Sequence, residues 1–360
     1  MRLSAAAYRV PTPVPEADGT LAWSSTTAVV VHAGAQGQTG LGWSYGPAPA
    51  AALVAELLAP ALHGADPMDL PGAALSMRVA ARNALLPGLV TLAVSAVDVA
   101  LWDLKARILG VPLHALLGRA HDTVPVYGSG GFTTLTAEQT REQLAGWVHG
   151  DGIPRVKIKI AEDHGRAQER DLCRIALARQ VVGPQTELYA DANGGYTAKQ
   201  AIRVARRAGE QDLRWLEEPV SSDDLAGLAL VRSQVEPDVA AGEYGTGPRY
   251  FRRMCQSGAV DCLQVDATRC GGYTGFLAAA AVADTFGLEV SAHCAPQLHA
   301  PVCAAVPNLR HLEWFADHVR LERLLLAGCL PVQAGAVRPG PAPGHGLELK
   351  EPDARRFRVA

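Results

Sequence analysis

From Thr123 onward the chain repeats one pattern: a short apolar run, a polar or glycine-rich loop, then a segment with apolar residues at helical spacing. The runs are Val124–Tyr127, Val156–Ile160, Leu188–Ala190, Trp215–Leu216, Val239–Ala241, Cys262–Val265, Glu289–Ala292 and His311–Leu312. Helices fit between and after them at Ala137–His149, His164–Val181, Thr197–Gln211, Asp223–Val235, Arg249–Ser257, Gly272–Phe286 and Ala295–Val306. Short apolar runs bounded by turns suit strands buried on both faces, and such strands need covering helices. Eight of these units predict a parallel (β/α)₈ barrel with right-handed crossovers over residues 123–330.

The preceding residues follow a different order. Leu3–Val10 and Ser24–His32, the latter with the run Thr26-Thr27-Ala28-Val29-Val30-Val31, read as hairpin-like strands. Helical spacing follows at Ala48–His63 and at Thr91–Leu117, where Gly110 and Pro112 break the second helix. Strands and then helices predict an α+β domain over residues 1–122. The Pro- and Gly-rich tail, 331–360, is no further β/α unit and is expected to return to the N-terminal domain.

With 48% hydrophobic and 19% charged residues, the 360-residue chain has the makings of a large core. Its 33 Lys and Arg against 36 Asp and Glu form no basic arm or stripe, so nucleic acid is not an expected partner. Asp98, Asp103 and Asp284 interrupt the apolar stretches Leu86–Leu104 and Gly275–Leu288, so no membrane span is expected. The start lacks a secretory apolar core, and the reading is cytoplasmic. Seven cysteines (Cys173, Cys255, Cys262, Cys270, Cys294, Cys303 and Cys329) form no C-x-x-C pair, which suits buried free thiols and excludes structural zinc.

In such a barrel, chemistry collects at the C-terminal ends of the strands, and there this chain places charge. Alternation sends Val156, Ile158 and Ile160 toward the helices and Lys157 and Lys159 inward. A K-x-K run commonly marks a solvated edge strand, but a closed barrel has no edge. Two close cations lower each other's pKa, which would make Lys159 a base near neutrality. Asp191, Glu217 and Glu243 follow successive strands, each 26 residues after the last. Singly they read as a turn former, a surface acid and a rim acid. Together they would repel without a cation, and an all-oxygen set suits Mg²⁺. Asp266 can orient His293 as an acid/base pair, against the plainer reading of a structural histidine. Glu313, if protonated, can donate to a developing oxyanion; as an ion-pair partner it has an equally good reading.

This ordered set resembles the enolase superfamily, specifically its mandelate racemase subgroup. The likeness runs from Ala96-Val-Asp-Val-Ala-Leu-Trp-Asp-Leu-Lys105, Gly110-Val111-Pro112 and Leu116-Leu117-Gly118 through Lys157-x-Lys159, Asp191-Ala-Asn193-Gly-Gly and Glu217-Glu218-Pro219. It continues with Gly242-Glu243, Asp266 ahead of Gly271-Gly272, His293, Glu313 and Pro343-Gly344-x-Gly346. The resemblance makes the N-terminal domain a capping domain, completed by the tail. It implies Mg²⁺ on Asp191, Glu217 and Glu243, with Lys159 and the His293–Asp266 dyad on opposite sides of the substrate. Lys157 and Glu313 would each bind a carboxylate oxygen, with Asn193 as a further substrate contact. Asp266 stands where muconate-lactonising members are expected to carry lysine, and Asn193 where mannonate-dehydratase-like members carry histidine.

The implied reaction begins with loss of the proton α to a carboxylate. Dehydration of an acid sugar to a 2-keto-3-deoxy acid is the favoured continuation; racemisation or epimerisation of a 2-hydroxy acid, and cycloisomerisation of a sugar lactone, use the same residues. Polar Thr20, Ser24, Ser25, Ser44 and Tyr45, beside Trp23 and Trp43, are the candidate capping-loop contacts. A homo-oligomer is expected, with a neighbour helping to close those loops. Two other classes compete. Gly42-Trp43-Ser44-Tyr45-Gly46 fits the G-x-S-x-G elbow of serine hydrolases, although Pro47 and Pro49 oppose the helix that motif needs. A metal-stabilised scaffold without catalysis would have no use for Lys159 and His293. No G-x-G-x-x-G or Walker motif points to a nucleotide.

Overall fold

A computed structural model describes residues 1–84 and 87–360. Eight parallel strands close into a barrel: β4 (Val124–Gly130), β5 (Arg155–Lys159), β6 (Glu187–Asp191), β7 (Leu213–Glu217), β8 (Asp238–Ala241), β9 (Cys262–Val265), β10 (Glu289–Ala292) and β11 (Leu309–Phe315), with β11 pairing back to β4. Every expected run falls on one of them, Ile160 just past the end of β5. The alternation also holds: Val156 and Ile158 join the outer core, while Tyr127, Tyr189 and Trp215 fill the barrel interior. Asp191 and Glu217 lie two residues beyond Tyr189 and Trp215 on the same faces, so an aromatic layer supports a carboxylate layer.

Several helices begin at side-chain caps that the sequence offers. Thr136 and Thr197 each make a capping box, with Gln139 and Gln200. Helix Leu89–Leu109 ends at Gly110 in the left-handed conformation, φ 69°, just ahead of Pro112. Helices Leu70–Ala81 and Ala316–Leu325 were not among the expected elements. The first begins Leu70-Pro71-Gly72, a signature that reads as a turn; the second completes the eighth unit.

The N-terminal domain holds three antiparallel strands where two were expected: β1 (Arg2–Ala17), β2 (Ala22–Ala35) and β3 (Gln38–Tyr45). Strand β3 contains the G-x-S-x-G match except for Gly46, and its glycines serve packing. A Cβ at Gly40 would overlap the carbonyl oxygen of Ala100, and one at Gly42 that of Ala96, both on helix Leu89–Leu109. Ser44 pairs with Val29 and is fully buried, so no exposed nucleophile elbow exists and the hydrolase alternative falls. Gly42→Ala should therefore lower the unfolding free energy by about 1–3 kcal/mol through overpacking. Urea titration followed by circular dichroism measures this, and an unchanged midpoint would mean that the sheet and helix can separate freely.

The tail does return. Ala336–Val337 pairs antiparallel with the start of β4, and the His345 backbone N–H donates to Asp103 at 2.8 Å. Val359 N–H donates to the Ala7 carbonyl at 2.8 Å and Ala7 N–H to that of Ala360 at 2.9 Å. Among the described residues no helix is long and apolar enough to cross a membrane; Leu86, the start of one apolar stretch, lies outside them. All seven cysteines are free thiols, but Cys173 is exposed and Cys329 half-buried, which corrects the expectation that all are buried.

Candidate active site

The register of the barrel gathers the charged residues at its C-terminal end. Lys159 stands beside Asp191, and Asp191 beside Glu217, on adjacent strands. Glu243 and Asp266 follow β8 and β9, His293 follows β10, and Glu313 lies within β11. All are buried, which such groups tolerate only when paired. Lys157 Nζ lies 2.5 Å from Glu217 Oε1, 2.8 Å from Glu313 Oε1 and 3.6 Å from Asp191 Oδ2. Lys159 Nζ lies 2.5 Å from Asp191 Oδ2, and Arg269 Nη1 lies 3.0 Å from Glu243 Oε1. Each of the three candidate metal ligands thus touches a cation of the chain.

His293 Nδ1 is 2.8 Å from Asp266 Oδ2, and the other oxygen of Asp266 accepts from Thr268 N–H at 2.7 Å. The carboxylate therefore fixes the ring and turns Nε2 toward the cavity. Nε2 stands 3.2 Å from Glu243 Oε2 and 3.2 Å from Cys294 Sγ. Glu313 accepts from Ser129 Oγ at 2.6 Å and from Cys294 N–H at 2.9 Å.

These surroundings change two expectations. Burial opposes the charge on Lys159, but Asp191 and the other acids outweigh both burial and Lys157, so its pKa is raised and not lowered. Burial likewise favours a protonated Glu313, yet Lys157, His293 and Lys159 hold it well below the usual carboxylate range. In this arrangement Glu313 is an ionised partner and not a donor. Glu217 is pushed up to about 8, by burial first and by Asp191 second. His293 is raised, since Glu243 and Asp266 overcome the effect of burial.

An oxygen-seeking cation fits here. Asn193 Oδ1 and Glu218 Oε1 are buried without hydrogen-bond partners, and Glu243 Oε2 has only the charge contact with His293 Nε2 at 3.2 Å, a costly condition that coordination or substrate contact would relieve. Asn193 and Glu218 hold positive φ, 43° and 37°, at the ends of β6 and β7. Among the described residues, the group of three metal-ligating donor atoms within 4.8 Å of one another is that of His293, Cys294 and Glu313. The three carboxylates are held by the chain's own cations, Asp191 and Glu217 by Lys157 and Glu243 by Arg269.

A cavity of about 380 Å³ opens on Lys159, Asn193, Glu243, Arg269, His293 and Cys294 from the barrel, within the range of small-ligand sites. Lys157 does not line it. From the N-terminal domain come Asp18, Trp23, Ser25, Thr26, Thr27 and Tyr45, and from the end of β11 and beyond come Phe315, Asp317 and His318. Of the expected capping contacts, Trp23, Ser25 and Tyr45 are present. Thr20 instead donates to Asp18, while Trp43 and Ser44 are buried away from the cavity lining. The sequence reading missed Arg269, Glu218, Cys294, Asp317 and His318. Glu218 and Cys294 adjoin residues it did single out, and that adjacency was the available signal.

Residues 3–118 match the family described as mandelate racemase / muconate lactonizing enzyme, N-terminal domain, and residues 139–354 match enolase C-terminal domain-like. An L-talarate/galactarate dehydratase of Salmonella typhimurium is 31% identical over 72% of this chain and 65% of its own length, short of two thirds. A 3,6-anhydro-alpha-L-galactonate cycloisomerase of Streptomyces coelicolor is 32% identical over 95% of this chain and 94% of its own. Among solved structures, a mandelate racemase/muconate lactonizing enzyme-like protein from Rubrobacter xylanophilus is 46% identical, with TM-score 0.96 and 99% of both chains covered. A racemase from Streptomyces coelicolor A3(2) with bound magnesium is 31% identical, with TM-score 0.93 and 99% of both chains covered.

Proposed function

The chain belongs to the mandelate racemase / muconate lactonizing enzyme family of the enolase superfamily, and from that premise we propose that it dehydrates an acid sugar to a 2-keto-3-deoxy acid. The observation that carries this reading is the meeting of Lys159 and an Asp266-oriented His293 in one cavity with Asn193 and Glu243. Asp191, Glu217 and Glu243 would hold Mg²⁺, which when bound supplies the positive charge that a carboxylate needs as its α-proton leaves.

The chain's own residues supply the proton transfers. Lys159 on the second barrel strand and His293 after the seventh stand on either side of the adjacent first and eighth strands, the eighth carrying Glu313. One of the pair takes the α-proton. His293, with Nδ1 held by Asp266, returns a proton through Nε2 to the departing β-hydroxyl, which leaves as water, and the enol product becomes the keto acid. Lys157, off the cavity surface, keeps Glu313 ionised and holds Glu217 and Glu313 in place, and it reaches a substrate carboxylate only if that carboxylate displaces part of this cluster.

Likeness over almost the full length to a cycloisomerase favours a second reading, proton transfer coupled to rearrangement of a sugar lactone. A colorimetric keto-acid screen with Mg²⁺ against aldonic acids, aldaric acids and their lactones separates the two. Keto acid from an open-chain acid supports dehydration; loss of a lactone without keto acid supports cycloisomerisation. We further propose a homo-oligomer, supported by the family and by Leu75, Val79 and Leu89, apolar residues exposed on the N-terminal domain. A monomeric mass by light scattering would refute that.

A further inference from the structure

The barrel and the capping domain line the cavity with chemically different residues. Lys159, Arg269 and His293 stand at the barrel end, and among the described residues lining the cavity Lys159 and Arg269 are the only lysine and arginine. The capping domain and the segment after β11 supply Asp18, Ser25, Thr27, Tyr45, Asp317 and His318. Asp18 accepts only local hydrogen bonds, from Thr20 and the Leu21 N–H at 2.8 Å, and no cation of the chain pairs with it among the described residues. Asp317 accepts from Thr26 and is paired with Arg320 on its far oxygen, at 2.5 Å. A carboxylate arriving here would meet two acids and one cation already in use. A hydroxyl would find acceptors at every turn.

His318 adds a donor. Only 8% exposed, it stacks on Tyr45 with ring centroids 3.6 Å apart, which ties the end of the barrel to the capping domain. The Ala295 N–H donates to its Nδ1 at 3.1 Å, so the proton of the neutral ring sits on Nε2, and that atom has no partner among the described residues. Burial, against the pull of Asp317, pushes its pKa down to about 4 and keeps the ring neutral. A fixed, uncharged N–H donor beside carboxylate and hydroxyl acceptors suits the oxygens of a polyol.

We propose that the cavity selects an acid sugar with a single carboxylate, an aldonate, over the matched aldarate, and that His318 binds its uncharged distal end. This rests on the reading of the barrel end as the place where the reacting carboxylate is held. Thr26, Asp317, Tyr45 and His318 join the two domains across this end, so the selecting groups are fixed by the same contacts that close the cavity.

Affinity tests this without requiring turnover. Isothermal titration calorimetry on the full chain with Mg²⁺ would use the pairs D-gluconate and D-glucarate, and D-galactonate and galactarate. In at least one pair the aldonate should bind about tenfold tighter or more, a factor within reach of one buried polar mismatch. His318→Phe keeps an aromatic ring to stack on Tyr45 but lacks the N–H; it should weaken the aldonate about tenfold and leave the aldarate little changed, and His318→Gln should restore part of the loss. Ser25→Arg, which adds a cation on the capping-domain side, should narrow the gap. Equal or tighter binding of the aldarates, binding by neither class, or an unchanged aldonate affinity in His318→Phe overturns the proposal. Tight aldonate binding with neither keto acid nor exchange of the α-proton would uphold the selectivity and overturn the dehydratase reading.

Discussion

His293→Asn should cut keto-acid formation by about 10²–10⁴-fold, the span expected for loss of a positioned general acid. Asparagine keeps much of the ring's bulk and a polar group near Asp266, so the barrel should remain folded. The informative comparison is with Lys159→Ala. If lysine takes the α-proton and histidine serves the leaving group, the His293 variant still exchanges the α-proton with D₂O while dehydration stops, and the Lys159 variant loses both. The reverse pattern assigns the roles the other way. Loss of neither activity in either variant would remove both residues from the mechanism. Lys159→Ala also leaves Asp191 without its nearest cation, so its folding is to be checked by circular dichroism.

Glu217→Ala should abolish turnover and weaken the protein together. Glu217 Oε1 is the nearest acid to the fully buried Lys157, and its Oε2 accepts from Trp215 Nε1 at 2.9 Å in the aromatic layer below. Removing one partner of a buried pair typically costs about 3–5 kcal/mol, because the remaining charge stays out of water. Glu313, 2.8 Å from Lys157, keeps the loss below a full orphaning. The metal reading adds a second readout. Mg²⁺ should raise the thermal midpoint of the native protein, by an amount equivalent to about 2.7 kcal/mol at a concentration 100 times its dissociation constant. The variant should show no such rise. A native protein whose midpoint ignores Mg²⁺ and EDTA alike would contradict the assignment of Asp191, Glu217 and Glu243 as ligands.

How far this site was legible in the sequence depends on the range of the interaction involved. The eight barrel strands were readable because burial on both faces leaves an unbroken apolar run, and the turn of phase at Lys157 and Lys159 gave their inward direction. Strand β3 was not readable, because Gly40 and Gly42 look like turn residues until helix Leu89–Leu109 is seen against them. The order of acids along the chain anticipated which side chains would meet. It carried nothing about their ionisation: Lys159 is governed by Asp191 and Glu313 by Lys157, contacts across strands whose distances exist only in the folded barrel. His318 escaped notice for the same reason, since its role depends on Ala295 and on Tyr45 from the other domain.

The account stands or falls on removal of an α-proton by this cavity. The direct measurement is proton NMR of the enzyme with Mg²⁺ in D₂O, supplied with aldonic acids one at a time. It predicts, for at least one, a 2-keto-3-deoxy acid carrying a single deuterium at carbon 3, with formation suppressed by EDTA and by the Lys159→Ala and His293→Asn substitutions. Neither keto acid nor α-deuterium from any sugar acid or lactone, or a product that forms unchanged in EDTA, would contradict it.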